Sequence, residues 1–244
     1  MKILSIGNSF SQDAHKWLHQ IAKACGEDFY NVNLYVSGCS LEMHHEYIVG
    51  NIPAYEHEIK GEVNTGRFVT LAQALKEEDW DIITVQQVSQ LSGKPETYEP
   101  YLSVLLDTVR AACPKAKIYL HQTWAYERDS TYSGFVHYNG DQQKMHECIV
   151  RTTEDVAKRI GATLIPAGRV IQTLRTDVPE FDYANGGLSL NRDGFHLTWD
   201  YGRFAAAALW VRVLTGKQVN LTEFEDFDST LVQKILKVVN GIEL

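Results

Sequence analysis

The stretch that decides the fold is Lys2–Ser11, which reads KILSIGNSFS. The run before Gly7 is short and rich in Ile and Leu, which is typical of a buried β-strand. After Gly7, apolar residues recur at helical spacing until Gly26, and a glycine in this position is a common helix stop. The stretch therefore predicts a strand that turns directly into a helix, which is the first part of a βαβ unit.

The same alternation continues along the chain. The further strand-like runs are NVNLYVS at 31–37, DIITVQQ at 81–87, KIYLHQT at 117–123 and ATLIP at 162–166. The helical patterns between and after them are Phe68–Glu77, Leu102–Ala112, Met145–Ile160, Phe204–Leu214 and Ser229–Val239. This pattern predicts an α/β fold with three layers, α/β/α, around a five-stranded parallel sheet in the flavodoxin-like order 2-1-3-4-5. We expect one domain over residues 1–244, with ligands bound beyond the carboxyl ends of the strands.

Composition excludes several classes of protein. The chain has 244 residues, 44% of them hydrophobic, and 23 basic against 31 acidic side chains give a net charge of −8. Nucleic acids and anionic lipid surfaces need a basic footprint, so neither is expected as a partner. No apolar run approaches the length of a membrane span, and the N-terminus lacks the apolar region of a signal peptide. We therefore expect a cytoplasmic protein, with export after removal of a signal as the alternative.

No cofactor or metal is expected. The four cysteines are widely spaced without a C-x-x-C pair, which predicts reduced structural thiols, with Cys39 not acting as a nucleophile. His15 and His19 have the spacing of metal ligands on a helix, but no glutamate accompanies them and both are expected on its solvated side. The glycine-rich loops that bind nucleotides are absent from the sequence.

Ser9 stands where the first strand turns into a helix. Helix N-termini present free N–H groups and a positive dipole end, which suits a nucleophile whose attack creates an oxyanion. The alternative is that Ser9 or Ser11 only caps the helix.

Asp193 and His196 lie three residues apart on a glycine-containing turn near the C-terminus. The carboxylate could accept a hydrogen bond from the Nδ1–H group of the imidazole and leave Nε2 free to act as a base. The alternative is a solvated surface turn. The apolar helix predicted at Phe204–Leu214 should be buried and hold this turn in place.

The chain order of serine, aspartate and histidine resembles that of the SGNH (GDSL-like) hydrolases. The matching pieces are SIGNSFS at 5–11, SGCSLE at 37–42 and DGFHL at 193–197. WDIIT with QQ at 80–87 and HQTWAY at 121–126 are similar to a bacterial branch of that superfamily. The resemblance implies a serine esterase in which Ser9 attacks an acyl carbon, His196 moves the proton and Asp193 orients the imidazole. It also implies that the backbone N–H groups of Ser9 and Gly38 bind the oxyanion.

The third oxyanion donor is where the chain departs from the superfamily. Its members usually place an Asn after the third strand, whereas this chain has Gln86, Gln87 and Gln90. A glutamine amide can donate the same bond. The two adjacent glutamines are similar to a block of carbohydrate acetylesterases, and neighbouring strand residues face opposite sides. We expect Gln87 to reach the oxyanion, with Gln86 and Gln90 as the alternatives.

Polar and aromatic residues near the same edge are candidates for substrate binding. These are Gln122, Trp124, His44 and Tyr126. Structural hydrogen bonding is the alternative role for Gln122 and Trp124. Tyr132, Phe135 and Tyr138 lie in the loop beyond, where they either stack on a sugar or hold the loop down.

The function expected from the sequence is a serine esterase that removes acyl groups, above all acetyl, from a carbohydrate or similar small alcohol. A neutral acylated sugar fits the acidic chain better than a phosphorylated substrate. The alternatives are a sugar-binding protein without catalysis, an acyltransferase that uses the same acyl-enzyme, and a flavodoxin-like FMN binder.

Overall fold

The computed structural model describes all 244 residues. Its strands are β1 Lys2–Gly7, β2 Tyr30–Tyr35, β3 Tyr55–Ile59, β4 Phe68–Val69, β5 Ile82–Val85, β6 Lys117–His121 and β7 Thr163–Ile165. Its α-helices are α1 Ser9–His15, α2 Leu18–Ala24, α3 Leu41–Val49, α4 Leu71–Ala74, α5 Tyr101–Ala112, α6 Gln142–Ile160, α7 Ala167–Asp177, α8 Tyr201–Thr215 and α9 Ser229–Gly241.

All strands belong to one sheet in the order β4-β3-β2-β1-β5-β6-β7. The five strands expected from the sequence are β2, β1, β5, β6 and β7, and each pairs with its neighbour in parallel. The predicted α/β class and the parallel order 2-1-3-4-5 are therefore confirmed. The parallel strands all end at one edge of the sheet, and the loops that follow them meet there.

The sheet has seven strands instead of five. β3 and β4 add to it in antiparallel fashion beyond β2, and neither strand was expected. Tyr55–Ile59 (YEHEI) carries charged side chains that are buried here, so it lacks the apolar signal of a strand. The helix expected over Phe68–Glu77 is shorter than predicted, because β4 occupies Phe68–Val69 and the capping box of Thr70 and Gln73 starts the helix afterwards.

Alternate residues of β1 contact different cores on the two faces of the sheet. Ile3 belongs to a core that includes most of α8, whereas Leu4 and Ile6 belong to a core with the apolar face of α5. α8 is buried along most of its length, as its apolar sequence predicts. It contacts α1, α2, α7 and α9, so the start of α8 gives the preceding turn, with Asp193 and His196, a fixed attachment to the core.

The first predicted helix is two short helices, with a break at Lys16 and Trp17. The solvated position expected for His15 is wrong, since its side chain is buried between β1 and α8. Its ring lies 2.7 Å from Ser5 Oγ and contacts the edge of Trp210. Burial lowers the pKa of His15 to about 3, so the imidazole is neutral.

No helix in the 244 residues combines the length and apolar character needed to cross a bilayer. All four cysteines are free thiols. Burial raises the pKa of the Cys39 thiol to about 12, which disfavours the thiolate that a cysteine nucleophile requires.

Candidate active site

Ser9 is the first residue of α1, directly after the turn that ends β1. The helix cap is Asn8, whose Oδ1 accepts from the N–H of Phe10 at 3.0 Å, so neither Ser9 nor Ser11 fills that role. Gly7 is required by close approach, because a Cβ atom there would lie 2.4 Å from Ser11 Oγ. The turn therefore leaves the hydroxyl of Ser9 free for another partner.

Asn8 also joins three loops beneath the serine. Its Oδ1 accepts from Gln86 Nε2 at 2.7 Å, and its Nδ2 donates to the carbonyl of Cys39 at 3.0 Å. The side chain is buried, and it ties the first loop to those that follow β2 and β5. Asn8 thus fixes the loop of Gly38 relative to Ser9.

Ser9, His196 and Asp193 form a continuous chain of hydrogen bonds. Ser9 Oγ lies 2.8 Å from His196 Nε2, and His196 Nδ1 lies 2.7 Å from Asp193 Oδ2. The other carboxylate oxygen of Asp193 accepts from the backbone N–H groups of Phe195 and His196 at 3.2 and 2.8 Å. With Nδ1–H donating to the carboxylate, Nε2 presents its lone pair to the serine hydroxyl.

The environment of Asp193 favours its ionised form. Partial burial raises the pKa of this carboxyl, but the hydrogen bonds from the His196 ring and from the two backbone N–H groups outweigh that effect. Its pKa therefore lies below the ordinary value, and the carboxylate stays charged across the neutral range.

Two backbone N–H groups at this edge are unpaired, those of Ser9 and Gly38. Gly38 has φ +60, and a Cβ atom there would meet nothing within 4 Å. Glycine is therefore favoured at this position by backbone conformation and not by lack of space. Both N–H groups are free to donate to an anionic oxygen.

The three glutamines have different surroundings. Gln87 is the residue expected to reach the oxyanion, and both ends of its amide are bonded within the protein. Its Nε2 donates to the backbone and the hydroxyl of Thr97, and its Oε1 accepts from the N–H groups of Leu41 and Val88. Gln86 is buried beneath the turn and donates to Asn8.

Gln90 is half-buried, and its Nε2 has no hydrogen-bond partner. Its backbone carbonyl accepts from the Tyr138 hydroxyl at 3.1 Å, and Gly134 packs against its side chain. Its Oε1 accepts from the Tyr126 hydroxyl at 3.5 Å, so among the three glutamines Gln90 is the one whose NH₂ group is free.

The four residues expected to bind substrate, Gln122, Trp124, His44 and Tyr126, are fully buried. Each instead bonds within the protein. Gln122 donates to Thr153 and accepts from a backbone N–H, while the Trp124 indole donates to the carbonyl of Phe195 at 2.8 Å.

The other two support neighbouring loops. His44 Nδ1 lies 3.0 Å from the Tyr55 hydroxyl, and burial lowers its pKa to about 4. The Tyr126 hydroxyl lies 2.8 Å from Ser89 Oγ, and burial raises its pKa.

The aromatic loop beyond β6 reaches the turn that carries Asp193 and His196. Tyr132 is partly exposed and lies against Phe195 with ring centroids 4.5 Å apart, whereas Phe135 and Tyr138 are buried. Phe195 in turn contacts the His196 ring at 4.0 Å. Tyr132 and Phe195 thus form an apolar wall beside the histidine.

Sequence reasoning missed a buried ionic cluster behind the turn. It consists of Asp13 with Arg192 and Arg203, and Asp13 also binds the backbone beside His196. The available signal was the spacing of Asp13, which falls one helical turn after Ser9 among apolar residues of the same helix.

The fold is that of the SGNH hydrolases. A candidate SGNH hydrolase from Slackia heliotrinireducens has a TM-score of 0.57 at 20% identity, covering 89% of this chain and 99% of its own. The acetyl xylan esterase AlAXEase also has a TM-score of 0.57, at 12% identity over 86% of this chain and 98% of its own.

Within that fold, the chain belongs to the family described as Domain of unknown function (DUF4886), which matches residues 2–235. A DUF4886 family protein from Bacteroides uniformis is 36% identical with a TM-score of 0.90, covering 99% of this chain and 93% of the other. No functionally curated protein matches the chain.

Proposed function

We propose that the protein is a serine esterase that hydrolyses acyl esters of small neutral alcohols, with acetylated carbohydrates as its substrate class. The observation that carries the proposal is the chain of short contacts from Ser9 Oγ through His196 to Asp193, beside two unpaired backbone N–H groups. A nucleophile, its base, an orienting carboxylate and oxyanion donors are the parts that acyl transfer needs.

The residues would act in the following order. Ser9 Oγ attacks the acyl carbon while its proton passes to His196 Nε2, and Asp193 stabilises the imidazolium that forms. The N–H groups of Ser9 and Gly38 bind the oxyanion, and the free NH₂ group of Gln90 is our candidate for the third donor. His196 then protonates the leaving alcohol, and the same steps with water release the acid from the acyl-enzyme.

The substrate class rests on charge and on the walls of the site. A net charge of −8 disfavours anionic substrates, whereas a neutral acylated sugar avoids that repulsion. The exposed part of Tyr132 beside Phe195 provides an aromatic surface next to the histidine. The fold neighbour named as an acetyl xylan esterase is in keeping with this choice, although that likeness is one of fold.

The alternatives differ in ways that can be measured. A sugar-binding protein without catalysis has no need for a serine 2.8 Å from a histidine that is itself bound to a carboxylate. An acyltransferase would share the acyl-enzyme and would pass the acyl group to an added alcohol. An FMN binder would be purified as a yellow protein.

Ser9→Ala tests the proposal. The variant should lose at least about 10³-fold of kcat on p-nitrophenyl acetate and on peracetylated xylose, because the nucleophile is gone and the oxyanion donors remain. A fluorophosphonate should modify the wild type at Ser9, as located by mass spectrometry. Ser11→Ala, which removes the other serine of the same helix, should still be labelled. Wild-type turnover by Ser9→Ala would refute the assignment.

A further inference from the structure

Asp13 is a fully buried carboxylate that contacts four nitrogen donors. Its Oδ1 accepts from Arg192 Nη1 at 3.1 Å and from Arg203 Nε at 2.8 Å, and it forms an ion pair with Arg203 Nη2 at 2.7 Å. Its Oδ2 accepts from the backbone N–H of Leu197 at 2.8 Å. The side chain has no exposed surface, so its charge is balanced entirely by these donors.

The position of Asp13 links the serine to the histidine. It lies four residues after Ser9 on α1, which places it on the same helix face about 6 Å further along the axis. Leu197, which it binds, directly follows His196 in the chain. The helix that carries the proposed nucleophile therefore also holds the backbone next to the proposed base.

Asp13 also contacts Arg192, the residue that begins the turn with Asp193 and His196. Arg192 precedes Asp193, its side chain also donates to the carbonyl of Leu197, and its backbone N–H donates to the carbonyl of His196 at 2.9 Å. The turn is thus closed on itself, and both of its ends are tied to Asp13. Arg203, in the first turns of α8, connects the same carboxylate to the core.

We propose that Asp13 is a positioning residue that sets the distance between Ser9 and His196, a role that rests on the proposed esterase function. A buried carboxylate with four donors has one satisfied geometry, so α1 and the turn at 192–197 are held in a single register. Misplacement of reacting groups by about 1 Å costs on the order of 10²-fold in rate. Asp13 acts through the geometry of the turn and does not contact the substrate.

Asp13→Asn is the informative variant because it keeps the volume and changes the hydrogen bonding. The remaining oxygen of the asparagine can still accept from the two guanidinium groups. Its NH₂ group then faces the N–H of Leu197, so the bond to the residue beside His196 is lost. We expect kcat on p-nitrophenyl acetate to fall on the order of 10²-fold, with KM within about threefold of wild type. The rate of Ser9 modification by a fluorophosphonate should fall in parallel.

Glu58→Gln is the matched control. Glu58 is also a buried carboxyl that binds α1, through Gln12 Nε2, and its other oxygen accepts from Asn33 Nδ2 at 2.8 Å. It makes no hydrogen bond to the turn that carries His196. We expect Glu58→Gln to retain kcat within about twofold of wild type, because its loss does not alter the distance between Ser9 and His196.

Complete modification by the fluorophosphonate counts the folded sites in each preparation, so the rates refer to folded enzyme. If Asp13→Asn yields no folded protein, Arg192→Ala decides, because that side chain is one-fifth exposed and can be removed with less disruption. It should lower kcat about tenfold.

Folded Asp13→Asn with kcat within twofold of wild type would overturn the positioning role and leave the esterase assignment intact. Arg192→Ala with unchanged kcat would do the same in the fallback. Both proposals would be overturned if the wild type were not labelled at Ser9 and the Ser9→Ala variant kept the wild-type kcat.

Discussion

Glu58 is expected to make the protein less stable as the pH rises from 5 to 8. It lies in β3 and is 2% exposed. Burial raises the pKa of its carboxyl to about 7, against the opposing hydrogen bonds from Asn33 and Gln12. Neighbouring Glu56 adds to the increase, and Arg203 reduces it.

The sign follows from proton binding in the two states. In the unfolded chain the carboxyl loses its proton near its ordinary pKa of 4.5, whereas the folded protein retains the proton until about pH 7. Between these values the folded state binds more protons, so the free energy of unfolding falls as pH rises. The difference between the two pKa values corresponds to about 3 kcal/mol, most of which is lost between pH 5 and 8.

Glu58→Gln removes this titration. We subtract the free energy of unfolding of the wild type from that of the variant at each pH. This difference should be about 2.5 kcal/mol larger at pH 8 than at pH 5. Urea denaturation at both pH values measures it, and taking the difference cancels the other titrating groups that the two proteins share. If that difference were the same at both pH values within about 0.5 kcal/mol, the account of Glu58 would be wrong.

Two further substitutions test the assignments in the site. Gln90→Ala should lower kcat about 10²-fold with little change in KM, as loss of one oxyanion donor does. Gln87→Ala should mainly lower the free energy of unfolding, by about 1–3 kcal/mol, because the N–H groups of Leu41 and Val88 lose their acceptor. Steady-state kinetics and urea denaturation of both variants decide, and the opposite pattern would return the donor role to Gln87. Trp124→Ala should lower the free energy of unfolding by about 3–5 kcal/mol because the ring is buried against Phe10. An increase in KM with unchanged stability would instead indicate that Trp124 contacts substrate.

The parallel part of the sheet could be predicted because its strands are short apolar runs separated by helices. Ile82–Val85 and Lys2–Gly7 pair in the centre of the sheet, where both faces are covered and apolar residues are required. β3 could not be predicted in the same way. Its Glu56 and Glu58 are buried through hydrogen bonds with distant residues, and periodicity of hydrophobic residues carries no information about such partners.

In the site, too, some residues could be predicted from the sequence and others could not. Ser9 lies where β1 ends and α1 begins, and the turn that carries Asp193 and His196 contacts it there; the chain order of the three residues indicates this arrangement. The burial of the predicted substrate contacts has a physical reason. Polar residues at strand ends were expected to face ligand, but the loop through Tyr132 and the turn through Phe195 cover that part of the edge. Buried polar groups then satisfy one another instead of a substrate.

Asp13 shows what a closer sequence analysis could have found. An acidic residue on the buried face of a short helix, four positions after a candidate nucleophile, must have cationic or N–H partners to be tolerated there. The turn at 191–197 offers one such cation in Arg192, and the start of the following helix offers another in Arg203. Asp13 needs a cationic partner, and Arg192 and Arg203 are available near the other end of the chain. Their pairing predicts that the two segments meet. That inference brings Ser9 and His196 together by an observation that does not depend on the chain order of serine, aspartate and histidine.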